Sequence, residues 1–257
     1  MGTHPSGAAD FWLYGGLIFT ASLSFYAFHR MYSLWKFLPE YPSLRWQNLH
    51  QWQRWLFAQI AFGAIAALVF GLMLPIKWWL AFIIPAAVSA LYALPFLAGR
   101  RARDLGLLKL PLLATGWVWL CSAVPAIMAG NVDPTYLLER WVFILGFAFV
   151  FDVRDVELDS TQGVRTWAAR LSRSWSAAVV AGLSVVSILL LLYELPGADE
   201  HKKLVIYAQG FTTALVSPLL LYACLRPQRS HMYYGLLLDA ALILPIVVVC
   251  VGLQVLY

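Results

Sequence analysis

Phe149-Val150-Phe151-Asp152-Val153-Arg154-Asp155-Val156-Glu157-Leu158-Asp159 closes an apolar run that begins at Leu137, and Ser160-Thr161-Gln162-Gly163-Val164-Arg165-Thr166 follows at once. Four of the chain's 13 acidic residues lie in this stretch. The run from Leu137 to Phe151 reads as a membrane helix. Continued through the acids, its period places Asp152, Asp155 and Asp159 at i, i+3 and i+7, on one face. Carboxylates converging there repel one another, and at a helix C-terminus they also meet the negative end of the macrodipole. A bound cation relieves both. Hard oxygen ligands in this arrangement suit Mg²⁺, which takes one or two carboxylates and completes its shell with water and substrate phosphates. The stretch is therefore a candidate metal and diphosphate site with Asp152, Asp155 and Asp159 as ligands. The competing reading is a solvated acidic helix end with Arg154 as an internal partner.

Outward from this stretch the chain is apolar. Of its 257 residues 61% are hydrophobic and only 12% charged, against about 25% charged in ordinary soluble domains. The expectation is an all-α, polytopic transmembrane helical bundle forming a single integral-membrane domain over 1–257. Apolar runs place about eight spans, at roughly 11–29, 55–74, 78–97, 110–129, 137–152, 176–194, 204–224 and 235–256. The net charge of +5 is spread over the connections and forms no basic tract, so nucleic acid is not an expected partner. Cys121, Cys224 and Cys250 all lie within apolar runs, without disulfide or metal spacing.

Charge alternates sharply between the connections. Of the 18 Lys and Arg residues, only Lys77, Arg140, Lys202 and Lys203 fall outside the segments 29–54, 98–109, 152–175 and 225–234. The positive-inside rule then puts those segments, and the acidic stretch with them, in the cytoplasm, with both termini outside. The expected location is a bacterial inner membrane. Trp and Tyr near the span ends read as interfacial anchors. Gly63, Ala67 and Gly71 form a small-residue strip for close helix packing. Pro85, Pro125, Pro218 and Pro245 lie within spans and are expected to kink them.

Other polar groups gather on the same predicted membrane face. Tyr92-Ala93-Leu94-Pro95-Phe96 ends the third span, and Gly99-Arg100-Arg101-Ala102-Arg103-Asp104 follows. Guanidinium groups match phosphate oxygens bidentately, although arginines here also serve as topology determinants. Arg165 and Thr166 add a cation and a hydroxyl after Gly163. At the end of the first span His29 and Arg30 bring a base and a cation but no carboxylate, and such residues often only reach the headgroups. Asp239, about one turn inside the last span, is an intramembrane acid.

Asp152-Val-Arg154-Asp155-Val-Glu157-Leu-Asp159 resembles the second aspartate motif of the UbiA superfamily of intramembrane prenyltransferases. Gly163-Val-Arg165-Thr166 is similar to the Gly-x-Lys-Thr that follows that motif, and Tyr92-Ala-Leu-Pro95 with Arg100 and Arg101 to the tyrosine, proline and basic cluster of its middle cytoplasmic loop. The resemblance implies a helical bundle around a cavity open to lipid. It further implies Mg²⁺ on Asp152, Asp155 and Asp159, with Arg100, Arg101 and Arg165 on the diphosphate of an isoprenoid donor. Tyr92 would sit near the leaving group, and cavity aromatics would shield an allylic cation. Where the family's first aspartate motif is expected, this chain has Tyr26-x-x-His29-Arg30-x-x-Ser33. His29 and Ser33 stand in place of acids, which removes the ligands of one of two metals.

The sequence thus predicts a Mg²⁺-dependent prenyltransferase or terpene cyclase. It would act on an isoprenoid diphosphate, with an aromatic or lipid acceptor or the donor's own double bond capturing the cation, and with His29 and Arg30 assisting substrate binding. The alternative is a non-catalytic UbiA-like protein that binds an isoprenoid lipid, quinone or pigment, or serves as a subunit of a membrane complex. A transporter fits less well, since no inverted repeat is visible.

Overall fold

The computed structural model describes residues 5–37, 50–93, 105–161 and 166–226, and every regular element among them is helical. In order they are α1 (Pro5–Phe37), α2 (Gln53–Met73), a 3-10 turn (Ile76–Phe82) running into α3 (Ile83–Ala93), and α4 (Gly106–Val118). A π turn (Trp119–Ala123) joins α4 to α5 (Val124–Met128), and α6 (Pro134–Thr161), α7 (Arg173–Glu194) and α8 (Glu200–Leu225) follow. The expected spans and these helices coincide through the seventh; the eighth, about 235–256, lies outside the described residues.

Five segments are long and apolar enough to cross a membrane: Ala9–Tyr32, Gln53–Met73, Leu108–Met128, Arg173–Gly197 and Lys202–Leu225. The chain is therefore an integral membrane protein, and the described residues support five such spans where the sequence suggested about eight. Two expected spans are not among them. Pro75, without an N–H, precedes the 3-10 turn, and the apolar segment Ile76–Tyr92 stays short. α6 is long enough but is not among the five, and Glu139, Arg140, Asp152, Arg154 and Asp155 lie along it.

The chain divides into two compact units, Met1–Ile83 and Ile84–Tyr257. The first is built on α1 packed against α2. Gly63 permits the approach: a Cβ there would lie 2.8 Å from the Thr20 carbonyl oxygen and 2.9 Å from the Ser24 Cβ. Ser24 Oγ donates to the Ile60 carbonyl at 2.9 Å, and Trp78 Nε1 donates to Asp10 Oδ2 at 3.1 Å. The small-residue strip of α2 is thus a packing surface, as its spacing suggested.

In the second unit α6 is the central helix. Residues from Gly146 to Val150 are buried in succession, so it has no lipid face over that turn. Phe143, Phe147, Phe149, Val150 and Val153 form one core with Leu110 of α4, Val180 of α7 and Val216, Leu220 and Cys224 of α8. Pro125 removes a helical N–H one turn after the start of the π turn, where the backbone ladder is already widened. Gly130, at φ +69°, ends α5, its N–H donating to the Ile127 carbonyl at 3.1 Å.

Candidate functional site

At about 1.5 Å per residue the 28 residues of α6 span about 42 Å, longer than the roughly 30 Å hydrocarbon core. Its acidic end is therefore carried to the membrane boundary while its middle fills the core. The helix continues through the acids to Thr161, so Asp152, Asp155 and Asp159 occupy helical positions as the spacing predicted. Asp152 is buried, at 2% exposure, and its Oδ1 lies 2.6 Å from Lys109 Nζ. Asp155 is clamped by its neighbour: Arg154 Nε and Nη2 donate to its two carboxylate oxygens at 2.7 Å each. The Arg154 guanidinium also stacks 4.8 Å from the Phe151 ring centroid. Arg154 is thus the internal partner that the competing reading named. The side chain of Asp159 lies outside the described residues.

Lys109 is the residue that sequence reasoning counted only as a loop cation. It sits in the first turn of α4, and because α4 and α6 pack side by side, their ends meet. Trp141 Nε1 donating to Thr115 Oγ1 at 3.1 Å ties the same two helices further along. A Lys close to a helix N-terminus opposes the macrodipole, as acids near a C-terminus do. Pairing Lys109 with Asp152 offsets both. The available signal was a single Lys inside Leu107-Leu108-Lys109-Leu110, an apolar run that leaves a cation needing a partner.

Of the other expected site residues, Tyr92 and Arg30 are among those described. Tyr92 is half-buried in the last turn of α3. Arg30 is exposed and bound to its own helix, its Nη2 donating to Tyr26 Oη at 2.9 Å with its guanidinium 4.4 Å from that ring centroid. Thr166 is fully buried, and its Oγ1 accepts from the Ala169 N–H at 3.3 Å, which shapes the 3-10 turn Ala168–Arg170. Arg100, Arg101, Arg165 and Asp239 lie outside the described residues, as do the side chains of His29 and Ser33.

A second polar layer lies toward the opposite end of α6, 13 residues and about 20 Å back along the axis from Asp152. Glu139 is fully buried. Arg140 binds it through Nε and, at 2.6 Å, through Nη2, while Ser187 Oγ of α7 donates to Glu139 Oε1 at 2.5 Å. Asp133, which precedes α6, has its Oδ2 2.6 Å from Lys202 Nζ of α8, and that ammonium also lies 3.3 Å from Glu194 Oε2. The Lys202 hydrogen bond, followed by the Tyr136 and Thr135 amides, holds the Asp133 carboxyl below the usual carboxylate range against a desolvation effect in the other direction. Sequence reasoning assigned none of this layer, because its charges come from three separated segments, at Asp133 to Arg140, at Glu194 and at Lys202.

A divalent ion needs carboxylate oxygens that are not already committed to cations. Here Asp152 is matched by Lys109 and Asp155 by Arg154, charge for charge. Among the described residues no three His, Cys, Asp or Glu side chains gather as metal ligands. The described residues therefore do not fit the Mg²⁺ site that the sequence predicted.

The architecture is that of a membrane-embedded helical bundle with a charged end on its central helix. Compared with solved structures, the chain is similar to a UbiA homologue from Archaeoglobus fulgidus, with a TM-score of 0.56 and 15% identity over 97% of this chain and 85% of that one. The fold is UbiA-like. No family model and no curated protein matches the chain.

Proposed function

We propose that this chain, as a single UbiA-like domain over 1–257, is an intramembrane enzyme that acts on an isoprenoid diphosphate. It transfers the prenyl group to an aromatic or lipid acceptor, or cyclises it. The observation that carries the reading is Asp152, a buried carboxylate at the end of the central helix of a UbiA-like fold. A buried ionisable group on a membrane helix is a candidate functional position. In this reading Asp152 fixes Lys109 at the diphosphate end, and the resemblance assigns Tyr92, Arg100, Arg101 and Arg165 to the leaving group. His29 and Arg30 assist from α1. Mg²⁺ is the cofactor that the resemblance implies, and it would neutralise the departing diphosphate; the described residues do not assemble its site, so no step is assigned to it. The acidic end faces the cytoplasm of a bacterial inner membrane, with both termini outside.

The one-to-one charge pairing of Asp152 and Asp155 favours a second reading, a UbiA-like protein that binds an isoprenoid lipid, quinone or pigment without turning it over, or that serves in a membrane complex. Diphosphate release by the purified chain, with a panel of prenyl diphosphates in Mg²⁺ and in EDTA, separates the two. The first reading expects release that Asp152→Asn abolishes. No release from a folded preparation, with a prenyl lipid or a stoichiometric partner copurifying, decides for the second.

A further inference from the structure

We infer that Lys109 is the built-in counter-cation of the acidic motif: its ammonium stands where a divalent ion would bind Asp152, so that a prenyl diphosphate is held at this end without a metal at that carboxylate. The inference deepens the proposed function and rests on it for the identity of the ligand. Its structural part stands on the Lys109–Asp152 pair alone.

The pair is close and sheltered, at 2.6 Å, with side-chain exposures of 13% and 2%. For a metal to take Asp152 it must displace the ammonium and break a sheltered ion pair near the positive end of α4, inside an apolar span. Water does not screen that loss as it would at an exposed pair. The next acid offers no relief, since Asp155 is held bidentately by Arg154. Nor does the first-span segment Tyr26 to Ser33, which contains no carboxylate. Both described carboxylates of the motif are thus already paired with cations of the chain.

Mn²⁺ binding to the full-length chain in detergent, read by electron paramagnetic resonance with Mg²⁺ as competitor, tests this. Wild type and Asp152→Asn are expected to bind Mn²⁺ equally weakly. Lys109→Met is expected to gain a site at least about 10-fold tighter, which disappears in Lys109→Met/Asp152→Asn. If either single variant does not fold, the double variant, neutral at both positions, is the folded reference: wild type is then expected to bind Mn²⁺ no more tightly than it does. A wild-type Mn²⁺ site that is lost on neutralising Asp152, or a folded Lys109→Met that gains none, overturns the inference. Farnesyl diphosphate binding, followed by thermal shift, is expected to be unchanged when EDTA replaces Mg²⁺; binding that requires Mg²⁺ also overturns it. Failure of prenyl diphosphates to bind under any condition removes the proposed function instead, and leaves the Mn²⁺ comparison as it stands.

Discussion

Lys109 and Asp152 compensate one another, and neither belongs where it is without the other. Removing one member of a buried pair leaves an uncompensated charge, which typically costs about 3–5 kcal/mol, whereas replacing both by neutral groups is often close to neutral. Lys109→Met is therefore expected to lower the melting temperature sharply, and Lys109→Met/Asp152→Asn to recover most of the loss. A thermal melt of the three proteins in one detergent checks this. Equal losses in single and double variants would show that the pair contributes nothing as a pair. Asp133 gives a second prediction. Its carboxyl is held below the usual value of about 3.9, chiefly by the hydrogen bond from Lys202. A lowered folded-state pKa stabilises the fold above the unfolded value and loses that contribution as pH falls through the folded one. Stability should thus decline below about pH 4, and Asp133→Asn should flatten the decline. A pH series of melts reads both.

Helices associate in a membrane through close packing and interhelical hydrogen bonds, since lipid removes the hydrophobic incentive that water supplies. For α1 and α2 the determining residue is Gly63, because any side chain there meets the Thr20 backbone oxygen at 2.8 Å and backbone cannot swing aside. Gly63→Val is expected to separate the two helices and to destabilise the chain by about 1–3 kcal/mol, as overpacking does. Gly15→Val, where nothing lies within 4 Å, is the control expected to leave the melt unchanged. Between α6 and α7 the link is polar. Ser187 donates to the buried Glu139, whose other partner is Arg140. Ser187→Ala should cost about 1–3 kcal/mol, the usual penalty when a buried group loses one partner, and Glu139→Gln/Ser187→Ala should cost less than the sum of the single changes.

Within the second unit two charged layers lie toward opposite ends of α6, one held by Lys109 and the other by Arg140 and Lys202. Membrane orientation follows from where the remaining basic residues fall. In a background lacking native cysteines, Ser172→Cys should be protected from an impermeant thiol reagent in intact cells, and Asp199→Cys should be labelled. The opposite pattern would invert the proposed topology and place the acidic end outside.

The sequence by itself determined the membrane class, the order and rough placement of the helices as far as α8, the UbiA-like fold and the helical continuity of the acidic stretch. Each depends on local composition or on a period of the chain, which neighbouring residues share. It could offer Arg154 as a partner for the acids, because the two are neighbours in the chain. It could not pair Lys109 with Asp152, or Ser187 with Glu139, because those partners are 43 and 48 residues apart. Only the packing of α4 and α7 against α6 brings them within reach. The tertiary structure therefore decided the partner of Asp152. A row of acids that reads as a vacant cation site along one helix becomes, once a neighbouring helix supplies an ammonium, a carboxylate already neutralised by the chain itself.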